Sequence, residues 1–324
     1  MRTQRFFNMR KVMQGVAGTL LIMSMVACNT DTDVFNPDED GGGSGGSGKV
    51  ETANLELIVS KKGSLLSQGT WVDGNTLGLF LTQGTLNRPY QNNAELYSNI
   101  KAYMYAGWWY LTPEEIPLTD KEAVVFAYGP YKKSADPFAV PVETASCTDY
   151  MFGTHLESQT SVDALSPIAT LEMQHALSLM DIHVRKNHNF KSQALLQEIT
   201  IEAANDSLKL PVKGTMNIMT GKITPDGYGK YTLDNLNQVL ADEYRDSCSY
   251  RMTLMPRDNV KGEVNLTIVV NGNRLSLPLH EDHDWGAGVH NTYNIIFDGT
   301  DLRLDKIEIN PWKEVYIEGV IEGR

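Results

Sequence analysis

The sequence predicts an all-β fold, arranged as a pair of β-sandwiches, and three observations support this prediction. Apolar and polar residues alternate along much of the chain after residue 49, which is typical of strands with one buried and one solvated face. Two turn dipeptides, Asn271-Gly272 and Asp298-Gly299, stand between alternating runs, where they favour tight hairpins. The strand patterns follow one another at short spacing without long helical segments between them, which disfavours an α/β fold.

The first 27 residues have the layout of an export signal. Four basic residues precede the mostly apolar run 12–25, and Ala27 stands directly before Cys28. The ending Met25-Val26-Ala27-Cys28 resembles the lipobox of bacterial lipoproteins, although Met25 stands where Leu is usual. The resemblance implies cleavage before Cys28, acylation of this residue and anchoring in the outer membrane. An ordinary signal peptide or a membrane-spanning anchor is the alternative, but the apolar run is shorter than the about 20 residues that a span needs.

Residues 28–48 are predicted to form a tether. They are polar and acidic up to Asp40 and continue as GGGSGGSG at 41–48. A segment without apolar side chains cannot offset the entropy that it loses on ordering, so a flexible spacer is expected. An engineered linker is the alternative. The glycines do not fit a phosphate-binding loop, because no Lys-Ser/Thr pair closes the motif.

The remaining chain is long enough for two domains, which we expect at residues 49–168 and 169–324. The passage between them is expected within 161–170. Strands are predicted at 55–59 and in two hairpins, which join 264–270 to 275–279 and 293–297 to 302–309. Only the segments 233–244 and 191–197 have a helical pattern.

The chain is strongly acidic, with 28 basic and 40 acidic residues and a net charge of −12. Removal of residues 1–27 lowers the basic count to 24 and brings the net charge near −16. Such a surface argues against nucleic acid or anionic lipid as a partner. Beyond Cys28 the chain keeps Cys147 and Cys248, which are compatible with one disulfide or with two separate buried thiols.

No catalytic or metal-binding motif stands out. The densest set of potential ligands is 280–284 with His290, but it lies between two strand patterns, as an exposed polar loop would. His175 and His183 are eight residues apart and would share one face of a single strand. We therefore expect no enzymatic activity, no metal and no cofactor.

Six aromatic residues lie close together in the sequence: Tyr97, Tyr103, Tyr105, Trp108, Trp109 and Tyr110. They could form a platform on which sugar rings stack, because aromatic rings offer a large contact area. A glycan-binding surface lipoprotein is then the alternative function. A sandwich core with an aromatic edge explains the same residues.

Four segments, taken in order, resemble the fimbrillin-like family of type V pili. The first runs from Trp109 through Ile116-Pro117-Leu118-Thr119 to the stretch 124–131. It is followed by DYMFG at 149–153, by LEMQHALSLM at 171–180, and by the closing Gly288, Tyr293, Ile307 and Trp312. Two positions depart from the family pattern: Gly129 replaces an aromatic residue, and Gln174 stands where Lys is common.

The resemblance implies two transthyretin-like Greek-key β-sandwich domains and a structural, non-catalytic role in cell-surface fimbriae that supports adhesion. Subunits of the family are exported as lipoproteins, cut after a basic residue that follows the first strand, and polymerised by strand donation to other fimbrial subunits. Shaft, tip and anchor roles all remain open.

Applied to this chain, the resemblance places the candidate processing site at Lys61 and Lys62, which directly follow the first strand. No arginine occurs between Arg10 and Arg88, so an arginine-specific protease has no site there. The candidate donor strand is 313–324, with Val315 and Ile317 on one face. A last strand within the domain is the alternative for this tail.

Overall fold

A computed structural model describes residues 52–62, 71–243, 247–258, 260–280 and 283–312. Its regular structure is almost entirely strand, so the predicted all-β fold is confirmed. In the described part of the chain, helix is limited to α1 (Ala94–Tyr97) and the 3-10 turns Tyr90–Asn92 and His155–Glu157. No helix within these residues is long and apolar enough to cross a membrane.

The first half of the chain builds one seven-stranded sheet, named here the first-half sheet. Its strand order is β2-β10-β9-β7-β3-β4-β5, and a separate pair joins β1 to β6. The strands of this half are β1 (Ala53–Asn54), β2 (Glu56–Lys61), β3 (Thr76–Thr82), β4 (Ile100–Tyr105), β5 (Trp108–Thr112), β6 (Pro117–Leu118), β7 (Val124–Gly129), β8 (Val140–Glu143), β9 (Met151–Thr154) and β10 (Ile168–His175).

The second half builds a four-stranded and a five-stranded sheet, with strand orders β17-β11-β20-β21 and β15-β12-β18-β19, and β16 also pairs with β12. Its strands are β11 (Ser178–Lys186), β12 (Leu195–Ala203), β13 (Leu210–Met216), β14 (Ile223–Gly229), β15 (Tyr231–Leu233), β16 (Gln238–Val239), β17 (Cys248–Leu254), β18 (Val264–Val270), β19 (Asn273–Pro278), β20 (Val289–Phe297) and β21 (Leu302–Pro311).

A three-stranded sheet, β14-β13-β8, joins the two halves, because β8 belongs to the first half of the chain and β13 to the second. One buried cluster lies within each half, and a third contains residues of both, including Phe126, Tyr128, Leu179 and Trp312. The described residues belong to one compact unit. The division into two sandwich domains therefore stays a prediction.

Both predicted hairpins are present. Strand β18 pairs with β19 across Asn271 and Gly272, whose φ angles of 51° and 78° suit the primed turns that match strand twist. Strand β20 pairs with β21, with an irregularity between Asn294 and Ile295. The alternating pattern of β10 is the clearest in the chain, since every second residue from Ala169 is buried.

Two predicted helices are wrong. Residues 191–197 run into β12, and residues 233–244 contain the end of β15 and all of β16. Leu233, Leu236 and Leu240 have helical spacing. However, Asn235 and Asn237 adopt left-handed φ angles of 55° and 50°, which interrupt a right-handed helix.

The segment 161–170, where the passage between domains is expected, runs into the start of β10. Strand β10 pairs with β2 and β9, so the chain leaves the first-half sheet at Ala176 and Leu177 and not near residue 168. Pro167 is not part of a linker, because its carbonyl accepts a hydrogen bond from Glu56 at 2.9 Å just before β10 begins. Likewise, His175 and His183 lie on two different strands, β10 and β11.

Candidate functional site

Strand β2 lies at one edge of the first-half sheet and pairs in parallel with β10 over all six of its residues. Leu55 and Val59 are fully buried, and Leu57 packs against the same cluster, so every second side chain points into the core. Outward-facing Ile58 remains partly exposed. The predicted first strand is thus present, and its apolar face contributes directly to the core of this half.

Lys61 ends β2 on the same face as Val59. Its side chain is only 9% exposed, with Nζ at 3.9 Å from Oδ2 of Asp149 and 4.7 Å from the centre of the Trp71 ring. A buried ammonium needs such partners, because burial without them costs several kcal/mol. Lys61 therefore anchors the end of the strand.

Lys62 differs sharply from its neighbour. Its side chain is exposed, while its main-chain N–H donates to the carbonyl of Met173 at 2.8 Å. A protease that recognises lysine must take the side chain into its own pocket. Of the two candidate processing residues, Lys62 is the one whose side chain is accessible.

The carboxylate that faces Lys61 belongs to a longer series of contacts. Oδ1 of Asp149 lies 2.9 Å from Nδ1 of His175, and the His175 ring stacks on Trp312 with ring centres 3.9 Å apart and planes 5° apart. Lys62 and Trp312 line one small pocket together with His175. The end of β2 and the end of the described chain thus meet at one place.

A shallow groove runs between β2 and β5, the two edge strands of the first-half sheet. Its lining is mainly apolar: Leu55, Leu57, Ile58, Trp108, Trp109, Leu111 and Ile168, with Glu56, Tyr110 and Glu114 at its margin. Unpaired strand edges of this kind are sites where another strand can add.

Several candidate residues lie outside the described residues: Cys28 with the export signal and tether, and Val315 and Ile317 in the tail 313–324. They stay predictions. The two cysteines that are described, Cys147 and Cys248, are free thiols. Of the alternatives that the sequence left open, the structure therefore favours separate thiols, although Cys147 is exposed.

Of the described histidines in the segment 280–290, His283 and His290 contact different partners. His283 is buried and contacts the hydroxyl of Tyr293, whereas His290 lies 2.9 Å from the carboxylate of Asp181. Burial raises the pKa of Asp181, but hydrogen bonds from Arg251 and His290 outweigh burial and hold this pKa below its usual value. Among the described residues, no group of three or more His, Cys, Asp or Glu side chains is placed to hold a metal ion.

The structure separates the six aromatic residues into two groups. Tyr97 is buried and donates to the carbonyl of Pro117 at 2.7 Å, and Trp109 packs edge to face against Trp71. The other four face outward on the β4–β5 hairpin: Tyr103, Tyr105, Trp108 and Tyr110.

Sequence reasoning missed the contacts that join Lys61, Asp149, His175 and Trp312. These residues come from four separate parts of the chain, and only the pairing of β2, β9 and β10 brings the first three together. Asp149, His175 and Trp312 lie in segments that resemble the family pattern, but spacing alone carries no signal that Asp149 faces a lysine.

Known proteins resemble this chain in sequence and in fold. The sequence model of the fimbrillin-like family matches residues 66–312, which is more than half of the chain. No curated protein gives a match.

Solved structures share the fold at low sequence identity. A candidate cell adhesion protein from Bacteroides ovatus is 15% identical with a TM-score of 0.59, covering 80% of this chain and 98% of its own. A similar protein from Bacteroides uniformis is 16% identical with a TM-score of 0.59, covering 81% and 98%. A fimbrial protein from Bacteroides vulgatus is 12% identical with a TM-score of 0.50, covering 80% and 99%. The family match, together with an all-β fold shared with these proteins, shows that this chain belongs to the fimbrillin-like family.

Proposed function

We propose that this chain is a structural, non-enzymatic subunit of cell-surface fimbriae and that its partners are other fimbrial subunits. Membership of the fimbrillin-like family supports a fimbrial role and a location at the cell surface. Export as a lipoprotein, with Cys28 as the lipid-bearing residue in the outer membrane, is the finer part of the proposal. It rests on the sequence alone.

The assembly mechanism that we propose is strand exchange, and it is supported by the position of β2. It is an edge strand, it fills part of the core with Val59 and with Leu55 directly before it, and it ends at Lys61, which Lys62 follows. Cleavage there followed by loss of β2 would leave β10 without its parallel partner and would expose an apolar groove. A strand from another subunit could fill that groove by β-augmentation.

The tail 313–324 is the donor that we propose. Val315 and Ile317 alternate with polar or aromatic residues, as a strand with one buried face requires. The tail begins directly after Trp312, which lies beside Lys62 at the end of β2. The two sandwich domains, expected at residues 49–168 and 169–324, stay part of the proposal, with β10 completing the sheet of the first half.

The decisive experiment is limited trypsin treatment of the soluble protein without residues 1–27, followed by gel filtration and electron microscopy. Cleavage after the lysine pair is expected to convert monomers into polymers. Lys61→Gln/Lys62→Gln should stay monomeric, whereas the control Lys132→Gln/Lys133→Gln, which changes another lysine pair, should polymerise normally.

A variant without residues 313–324 tests the donor separately. It should be cut at the same site, keep the circular dichroism of the uncut protein and fail to polymerise. If the full protein stays monomeric after confirmed cleavage, the shaft role is wrong and an anchor or tip role replaces it.

A further inference from the structure

The outward face of the β4–β5 hairpin is aromatic, and two of its residues, Trp108 and Tyr110, also line the groove beside β2 together with Glu56 and Glu114. Tyr103 pairs with Tyr110 and Tyr105 pairs with Trp108, and the next pair along the same face is Lys101 with Thr112. Trp108 is 68% exposed and Tyr105 is 61% exposed. The inward-facing neighbours Ala102, Met104 and Leu111 already provide the buried contacts of this hairpin. We name Tyr103, Tyr105, Trp108 and Tyr110 the aromatic face.

Three of the four rings of the aromatic face contact one another, and Trp108 lies opposite Tyr105 in the strand pair. Tyr103 and Tyr110 stack with centres 5.6 Å apart and planes at 24°, and Tyr105 lies 6.4 Å from Tyr110. Both strands belong to the first-half sheet, and the turn at Ala106 and Gly107 has the positive φ angles of a tight hairpin. Binding here would therefore cost little ordering entropy.

A positive charge marks one end of the aromatic face. Nζ of Lys101 lies 6.0 Å from the ring centre of Tyr103 and 5.9 Å from that of Tyr131. No carboxylate of a described residue lies within 4.0 Å of this ammonium. Residue pairs on the same face of two paired strands are about 6.8 Å apart, so the three pairs from Lys101–Thr112 to Tyr105–Trp108 span roughly 14 Å.

We propose that the aromatic face binds a short acidic oligosaccharide. Sugar rings would stack on Trp108 and Tyr110, and a sugar carboxylate would pair with Lys101. The chemistry of the face favours this ligand: its flat rings can stack against sugar rings, and the hydroxyl groups of Tyr103, Tyr105 and Tyr110 can hydrogen-bond with sugar hydroxyls. A sparsely charged glycan also suits a chain of net charge −12, which would repel a dense polyanion such as nucleic acid.

The test measures binding of two defined probes to the uncut, full-length mature protein by calorimetry. One probe is a hexasaccharide of alternating glucuronate and N-acetylglucosamine, and the other is the neutral hexasaccharide of N-acetylglucosamine. The acidic probe is expected to bind more tightly, and its affinity should fall as salt is added. Trp108→Ala should weaken binding of both probes roughly tenfold or more. Lys101→Gln should weaken binding of the acidic probe alone.

Tyr228→Ala is the matched control, because Tyr228 is 54% exposed and lies 5.8 Å from Nζ of Lys209 on a different sheet. It should bind both probes as the unchanged protein does. Absence of binding, or equal binding by Trp108→Ala, would overturn the proposal. If trypsin-treated Trp108→Ala fails to polymerise and the unchanged protein binds neither sugar, the proposal is overturned and the face is assigned to a protein contact. Because the binding measurements use the uncut monomer, their result does not depend on whether the subunit polymerises.

Discussion

If Lys61 anchors β2 and Lys62 is accessible, trypsin should cut the folded protein after Lys62 and not after Lys61. The two residues are adjacent and chemically identical, so the fold alone sets the difference. The comparison uses two single variants, Lys61→Gln and Lys62→Gln. A synthetic peptide of residues 55–68 serves as the unfolded control, in which trypsin should cut after both lysines.

The contacts of Lys61 set the expected difference between the cleavage rates after Lys61 and after Lys62. To enter a protease pocket, Lys61 must leave the Trp71 ring, a cation–π contact that contributes about 0.5–2 kcal/mol depending on desolvation. It must also leave Asp149, and a partly exposed ion pair adds up to about 1 kcal/mol. Together these contacts amount to roughly 0.5–3 kcal/mol, and each 1.4 kcal/mol corresponds to about a factor of ten. Cleavage after Lys61 should therefore be slower by roughly 2–150-fold, because cleavage follows the population of the open form.

Mass spectrometry identifies the cleavage site from the products, and the initial rate of product formation gives the cleavage rate of each variant. The new amino terminus should be Gly63, Lys62→Gln should slow cleavage by the stated factor, and Lys61→Gln should leave it unchanged or faster. Cleavage of the folded protein after both lysines at equal rates would show that Lys61 is not held as described.

Three further predictions address the core, the acid sensitivity and the anchor. Val59→Ala should lower the free energy of unfolding by about 1–3 kcal/mol in urea titrations, whereas the outward-facing Ile58→Ala should change it much less. The pKa of Asp181 is lower in the folded than in the unfolded protein, so its stabilising contribution is full above about pH 4 and is lost as the pH falls below that value. Asp181→Asn should therefore lose stability at pH 7 and show a flatter decline in acid, and an unchanged acid profile would contradict this assignment. Cys28→Ala should abolish palmitate labelling and release the protein from the membrane fraction, and persistent labelling would exclude Cys28 as the lipidated residue.

Much of the fold could be predicted from local sequence. A hairpin requires particular turn residues, and a strand with one buried face requires alternating apolar and polar residues, so both can be read from neighbouring positions. The Asn271-Gly272 turn and the alternation in β2 and β10 each follow from neighbouring residues. The helix predicted at 233–244 failed because two asparagines adopt left-handed angles that propensity does not reveal. The β4–β5 hairpin turns at Ala106-Gly107, a weaker signal than Asn-Gly, so its aromatic residues could not be divided into inward and outward groups beforehand.

The candidate site was predictable only in part. A strand followed by two lysines can be read from the sequence, and so can an alternating tail. The difference between Lys61 and Lys62 cannot, because it depends on Asp149 and Trp71, which approach from elsewhere in the fold. The stacking of His175 on Trp312 has the same long-range origin.

The energetics of β2 indicate that cleavage and strand loss are separate events. Leu55 and Val59 are each worth about 1.5–3 kcal/mol when buried. The main-chain pairing of six residues with β10 adds about 0.5–1.5 kcal/mol for each hydrogen bond. The sum is comparable to the 5–15 kcal/mol that stabilises a typical domain. A severed β2 should therefore stay bound in its groove until another strand replaces it.

The fragment ending at Lys62 should therefore co-elute with the rest of the subunit on gel filtration and separate only in denaturant or when donor strands enter. A fragment that dissociates at once from the cut monomer would contradict the argument. Because the proposed lipid anchor at Cys28 lies on the same fragment, retention has a further consequence. A cut subunit would remain attached to the membrane until strand exchange, so the step that adds it to the polymer would also release it from its anchor.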